Sequence, residues 1–242
     1  MEELLPYLLI VLVCLGGSFV QRVSGFGFGI FVMLFFPYLL ASSPAAAAVS
    51  SILSGIISLY NAIRQRKHLQ IKLVIPMLCA AMITIPLAIS LSKYAPETVM
   101  KPLLGIVLIL LSIYFLFFST RIHIRPTAAN SFAAGALSGT LGGLFSTGGP
   151  PAVLFLLHAT NDKVVYFATI QTYFALTNTY STVVRIINGI ITREILTSVM
   201  IGLIGCLIGN RIGSWAFDKL DGEKLKKVIY AGMIVSGILM IA

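Results

Sequence analysis

The sequence predicts an all-α polytopic membrane protein built of two inverted repeats, each a broken or re-entrant helix pair plus three longer transmembrane helices. Three observations carry that expectation: the composition, the order of the apolar runs, and a glycine-rich interruption at a corresponding place in each half. Of 242 residues, 58% are hydrophobic and only 10% are charged, and the mean hydropathy is +0.98. A water-facing domain carries roughly 25% charged residues. A membrane-spanning helix needs about 20 apolar residues, and such stretches follow one another almost from end to end of this chain.

The elements follow in order. The first half, residues 1–125, opens with two short apolar stretches at 6–20 and 28–40, then three longer ones at 45–63, 73–91 and 102–118. The second half, residues 126–242, repeats the order with short stretches at 131–145 and 152–158, then longer ones at 164–184, 195–215 and 228–242. An offset of 121 residues lays Ser24-Gly25-Phe26-Gly27-Phe28-Gly29 on Phe145-Ser146-Thr147-Gly148-Gly149-Pro150, Arg64 on Arg185, and Lys72 on Arg193. Five hydrophobic segments per half is an odd number, so the second half enters the membrane upside down relative to the first. Inverted halves with a broken helix in corresponding positions are the signature of secondary transporters. Glycine-rich breaks also serve close helix packing, which is the competing explanation. Glu2 and Glu3 stand where a targeting signal needs a basic region, so the first apolar run is expected to remain in the mature protein.

Charge placement orients the helices. The net charge of +9 would point to nucleic acid in a soluble chain, but here the basic residues fall in short loops between apolar runs. No nucleic-acid partner is expected. Short cytoplasmic loops collect Lys and Arg. Threading from the loop of Arg64, Arg66, Lys67 and Lys72 puts Arg121, Arg125, Lys163, Arg211, Lys219, Lys224, Lys226 and Lys227 on the same, inner side. Lys93, Lys101 and Arg193 fall outside, with both termini, while Arg22 and Arg185 remain unassigned. The expected setting is a bacterial inner membrane, with the lipid bilayer as the extended partner.

The breaks hold the candidate substrate residues. Glycine lets the backbone leave a helix at no steric cost, and proline restarts one in its first turn. Non-helical backbone at membrane depth is tolerated where it is buried in protein or lines a cavity. A helix that begins there offers unpartnered N–H groups and a positive dipole end, which suit an anion. In the second break the candidates are Ser146, Thr147, Gly148, Gly149 and Pro150; in the first they are Gln21, Arg22, Ser24, Gly25, Phe26 and Gly27. Arg22 is the only charge that the threading leaves beside a broken segment. Either it meets a carboxylate, sulfonate or sulfite through its fork, or it snorkels to the headgroups. On the stretch 164–184, Gln171, Asn178 and Thr182 share a face, and Ser50, Ser51, Ser54, Ser58 and Asn61 are its counterparts. Such a face lines a polar cavity or makes interhelical hydrogen bonds.

Absences narrow the class. All eight acidic residues (Glu2, Glu3, Glu97, Asp162, Glu194, Asp218, Asp221 and Glu223) lie in termini or loops. No carboxylate is placed to bind a cation or relay protons within the membrane, so a small anion is the expected substrate. Cys14, Cys79 and Cys206 stand singly in apolar segments without metal-ligand or redox spacing, and no metal or cofactor is expected. His68 and His123 sit alone in basic loops, and His158 with Asp162 four residues on is a weak pair. A membrane-embedded enzyme is therefore disfavoured. A passive anion channel and a scaffold without flux compete with the carrier.

At these residues the sequence resembles the TauE/SafE family of sulfite exporters and toluene-sulfonate uptake permeases. The resemblance rests on Ser24-Gly25-Phe26-Gly27-Phe28-Gly29, on Gly135-Ala136-Leu137-Ser138-Gly139, on Gly142-Gly143-Leu144-Phe145, and on Gly148-Gly149-Pro150-Pro151. It implies transport of a sulfur-containing anion such as sulfite, thiosulfate or a sulfonate. Arg22 departs from the family pattern, in which a glycine or another small residue is common at that place.

Overall fold

A computed structural model describes residues 4–118, 124–216, 234 and 237–241. Among the described residues the chain is helical and has no strand. The expected last helix, 228–242, lies largely outside them, as do Arg121, Lys219, Lys224, Lys226 and Lys227 of the inner basic set. Ten α-helices are used below: α1 (Leu5–Ser24), α2 (Phe28–Val32), α3 (Phe36–Leu39), α4 (Ser43–Gln65), α5 (Ile71–Tyr94), α6 (Glu97–Ile113), α7 (Ala128–Phe145), α8 (Gly149–Ala159), α9 (Lys163–Ile187) and α10 (Arg193–Ala216). Five helical stretches are long and apolar enough to cross a membrane: α1, α4 with its 3₁₀ turn to His68, α5, α6 with the π-turn that follows it, and α10. This makes the chain a multi-pass membrane protein.

The local chemistry explains the boundaries. The Ser42 hydroxyl caps α4 by accepting the Ala45 N–H at 3.3 Å, and a proline occupies the first turn. Glu97 adds a second clasp there, accepting from both the Ser43 N–H and its hydroxyl at 2.7 Å. Asp162 caps α9 through the N–H groups of Val164 and Val165 at 2.7 and 2.8 Å. These side chains satisfy donors that a helix start leaves open. Two differences from the sequence reading stand out. The apolar stretch at 6–20 belongs to a full helix of 20 residues, so only its partner is short. That partner is itself divided, because Pro37 restarts the chain as α3 after α2 has ended.

Glycine stripes set the closest packing. On α10, Gly205, Gly209 and Gly213 lie against Val11, Leu15 and Arg22 of α1 in that order. On α7, Gly135, Gly139 and Gly143 lie against Met77, Ala81 and Ala88 of α5. A four-residue spacing puts small residues on one face and lets backbones approach. Both pairs are parallel, since residue numbers rise together along each. α4 crosses α9 antiparallel, with Asn178 beside Ser54 at one level and Gln171 beside Gln21 and Ser58 at another. The Asn61–Asn210 contact at 3.5 Å together with Leu53 beside Gly202 sets α4 parallel to α10. Thr84 bonding Ala136 matches the α5–α7 register, and the Gln70–Thr169 and Met82–Tyr180 bonds set α5 parallel to α9. The long helices thus form two sets: α1, α4 and α10 run one way, while α5, α7 and α9 run the other. α4 and α9 carry most of the buried polar side chains, and both helix breaks lie against them.

Candidate functional site

Each break begins where a helix must stop. α1 ends at Gly25 with φ +84°, and α2 starts from Gly27 at φ +95°. An L side chain at either position is strained. α7 ends at Ser146, which takes the left-handed conformation at φ 58° although it is not glycine. The two breaks meet: a Cβ on Gly29 would overlap the Ser146 carbonyl oxygen, so only glycine permits that approach. The Ser51 hydroxyl of α4 bonds that of Ser146 at 3.2 Å, and Phe26 of the first break lies beside Gly149 of the second.

Between them lies a small cavity. It gives the centre of a water-sized sphere about 40 Å³ of room, enough for a few waters or one compact oxyanion on the scale of ~10–15 Å³ per water. Of the residues singled out in the sequence, Gln21, Phe26, Gly27, Ser146, Thr147, Gly148, Gly149 and Asn178 line it. Five do not. The Ser24 hydroxyl closes its own turn on the Val20 and Phe26 carbonyls. Gly25 is held behind the lining by Gln171, whose Nε2 donates to its carbonyl at 3.0 Å. Gln171 also accepts from Gln21 at 3.3 Å. Pro150 is buried in the start of α8. Arg22 turns away to α10, its Nε donating to the Ser214 hydroxyl at 2.8 Å and its guanidinium lying 4.8 Å from the Phe167 ring centroid.

The polar face of α9 serves both purposes that its pattern allowed. Asn178 donates to Ser54 of α4 at 3.2 Å, and both residues also line the cavity. Thr182 is spent on its own helix, bonding the Asn178 carbonyl at 2.8 Å. Ser138 of α7 ties the second break in place by donating to the Gly148 carbonyl at 2.5 Å.

The donors at the second break are fewer than a helix start normally supplies. Pro150 and Pro151 have no N–H, so of the donors that a helix start leaves open only those of Gly148 and Gly149 remain. The Thr147 hydroxyl, 1% exposed, has no hydrogen-bond partner among the described residues. A buried hydroxyl left open costs about 1–3 kcal/mol unless something fills it. No group of three or more His, Cys, Asp or Glu residues able to hold a metal occurs among the described residues.

Sequence reasoning passes over one residue at this place. Arg185 of α9 is fully buried and donates from Nη2 to the Gly143 carbonyl at 2.7 Å, two residues before the end of α7. Read from hydropathy, it sits just past the stretch 164–184 and looks like a loop residue. α9 in fact continues to Ile187, and the alignment of Arg185 with Arg64, which is exposed near the end of α4, gives no sign of burial.

The family model described as sulfite exporter TauE/SafE matches residues 9–240, nearly the whole chain. No curated protein matches the chain, and no solved structure does.

Proposed function

The chain belongs to the TauE/SafE sulfite exporter family, and on that premise we propose that it is a secondary transporter for a small sulfur-containing anion, such as sulfite, thiosulfate or a sulfonate. The single observation that carries the reading is the meeting of two helix breaks around a polar cavity with no lining carboxylate. The Thr147 hydroxyl, without a partner among the described residues, and the start of α8 face the same space. A positive helix end and neutral donors favour a negative guest.

The carrier acts by alternating access between two inverted halves, 1–125 and 126–242. Three things support this. α1, α4 and α5 of the first half run opposite to their counterparts α7, α9 and α10 in the second. Their contacts are exchanged between halves, α1 on α10 and α5 on α7, with α4 on α9 at the centre. Gly105 of α6 and Gly237 near the C-terminus also approach each other reciprocally, each within 2.7 Å of the other's carbonyl once a Cβ is added. The anion sits where the breaks meet, so small rotations of one half against the other expose it to either face. The basic loops then lie on the cytoplasmic side of a bacterial inner membrane.

Flux in proteoliposomes tests the reading. Sulfite, thiosulfate, taurine, a simple sulfonate, chloride and a monovalent cation are offered in turn. Saturable flux of at least one sulfur anion is expected. Flux that ignores every sulfur anion and follows the cation refutes the proposal.

A further inference from the structure

The charge at the second break comes from α9. Arg185 is 0% exposed, and while Nη2 holds the Gly143 carbonyl, Nε and Nη1 have no partner among the described residues. Nor does it form an ion pair with a carboxylate among them. A guanidinium carries five N–H donors and stays protonated. A buried charge without compensation is strongly destabilising, so this one calls for an anion from outside the chain.

Arg185 adjoins the cavity without forming part of its lining. Helical side chains lean back over the preceding turn, which for Arg185 is the turn of Ser181. Ser181 lines the cavity, as does Gly142, the neighbour of Gly143. The Gly143 carbonyl is itself left over at the end of α7, because the Thr147 N–H turns to the Leu141 carbonyl instead. Helix C-termini carry partial negative charge, which would repel an anion one break away.

We infer that Arg185, rather than Arg22, is the cationic recognition residue of the anion site, an assignment that rests on the transporter reading above. Its Nη2 neutralises the end of α7, and its Nε and Nη1 groups, with the Thr147 hydroxyl, receive the oxygens of the bound anion. The first break has no such residue. Its terminal carbonyl, that of Gly25, is bonded by the neutral amide of Gln171, so the anion rests on the second-break side of the cavity.

Two measurements test this together. Selenite, a sulfite homologue with strong anomalous scattering, is added to crystals of the wild-type chain grown in lipid. A selenium peak beside Arg185 and Thr147 is expected; a peak elsewhere, or none at saturating selenite, overturns the inference. In proteoliposomes, Arg185→Gln is expected to abolish saturable flux. Arg185→Lys should keep it with KM raised at least tenfold, and Arg22→Gln should leave KM unchanged. Arg185→Gln with wild-type KM overturns the inference while the transporter reading stands. A wild-type protein that carries no sulfur anion removes both. If Arg185→Gln is not folded by thermal unfolding, the position of the selenium peak in the wild type decides.

Discussion

The Thr147 hydroxyl and the Arg185 guanidinium share a physical predicament: each is buried, polar and incompletely bonded among the described residues. Replacing Thr147 by Val swaps the hydroxyl for a methyl of similar size. Because the open hydroxyl costs stability, Thr147→Val is expected to unfold at the same temperature or slightly higher. Hydrogen bonds to charged groups contribute about 1.5–3 kcal/mol, so KM for the sulfur anion should rise roughly tenfold or more at about 1.4 kcal/mol per decade. Concentration-dependent flux checks it. Arg22→Gln has the opposite profile. It loses the Ser214 bond and the Phe167 ring contact and should keep its KM. Its unfolding temperature should fall, by about 2–4 °C for each kcal/mol lost in a chain of this size. The sequence points to Arg22 because the residue sits beside a visible motif. It hides Arg185 because hydropathy ends a helix at the first charge, although a guanidinium inside protein can extend the helix further. Five of the eight candidates that line the cavity, Gly27, Ser146, Thr147, Gly148 and Gly149, are legible because glycine and hydroxyl residues mark a break directly. Ser54 belongs to a polar face that the sequence displays, whereas Ile85 and Ser138 are brought in by packing that hydropathy does not register.

At the scale of elements, the glycine stripes hold the helix pairs together. A side chain at Gly209 would run into the Leu15 carbonyl of α1, and overpacking of that kind costs typically ~1–3 kcal/mol. Gly209→Val is therefore expected to lower the unfolding temperature by several degrees and to reduce the folded yield. Ile204→Val on the exposed face of the same helix (56% exposed) should do neither. Thermal unfolding of the two purified variants in one detergent makes the comparison. The long helices are legible from apolar length, with ends displaced by a few residues where caps such as Ser42 and Asp162 extend them. Hydropathy shortens α1 because Gln21 and Arg22 end the apolar run at residue 20, while the helix continues to Ser24; inside it Gly16 and Gly17 seat the rings of Phe31 and Phe28. The division of α2 from α3 depends on Pro37 and on the crowded break beside it, which periodicity does not register.

For the whole molecule, orientation is the property that joins sequence to function. The threading by basic residues puts Lys67 inside and Lys93 outside, and the helix directions place them at opposite ends of α5. Cys14 and Cys206 are buried and Cys79 is exposed, so a background lacking all three accepts single cysteines. An impermeant maleimide applied to intact cells should label Lys93→Cys and leave Lys67→Cys unlabelled until the membrane is opened. The reverse pattern would turn the molecule over. Alternating access requires one anion site between the two breaks that is reached from each face in turn. Counterflow tests it most directly: vesicles loaded with unlabelled sulfite take up a trace of radiolabelled sulfite from outside. Loaded vesicles should show a transient accumulation well above that of empty ones, because the carrier returns with an anion bound. Uptake that is the same in loaded and empty vesicles and rises linearly with concentration would contradict alternating access and make the molecule a passive pore.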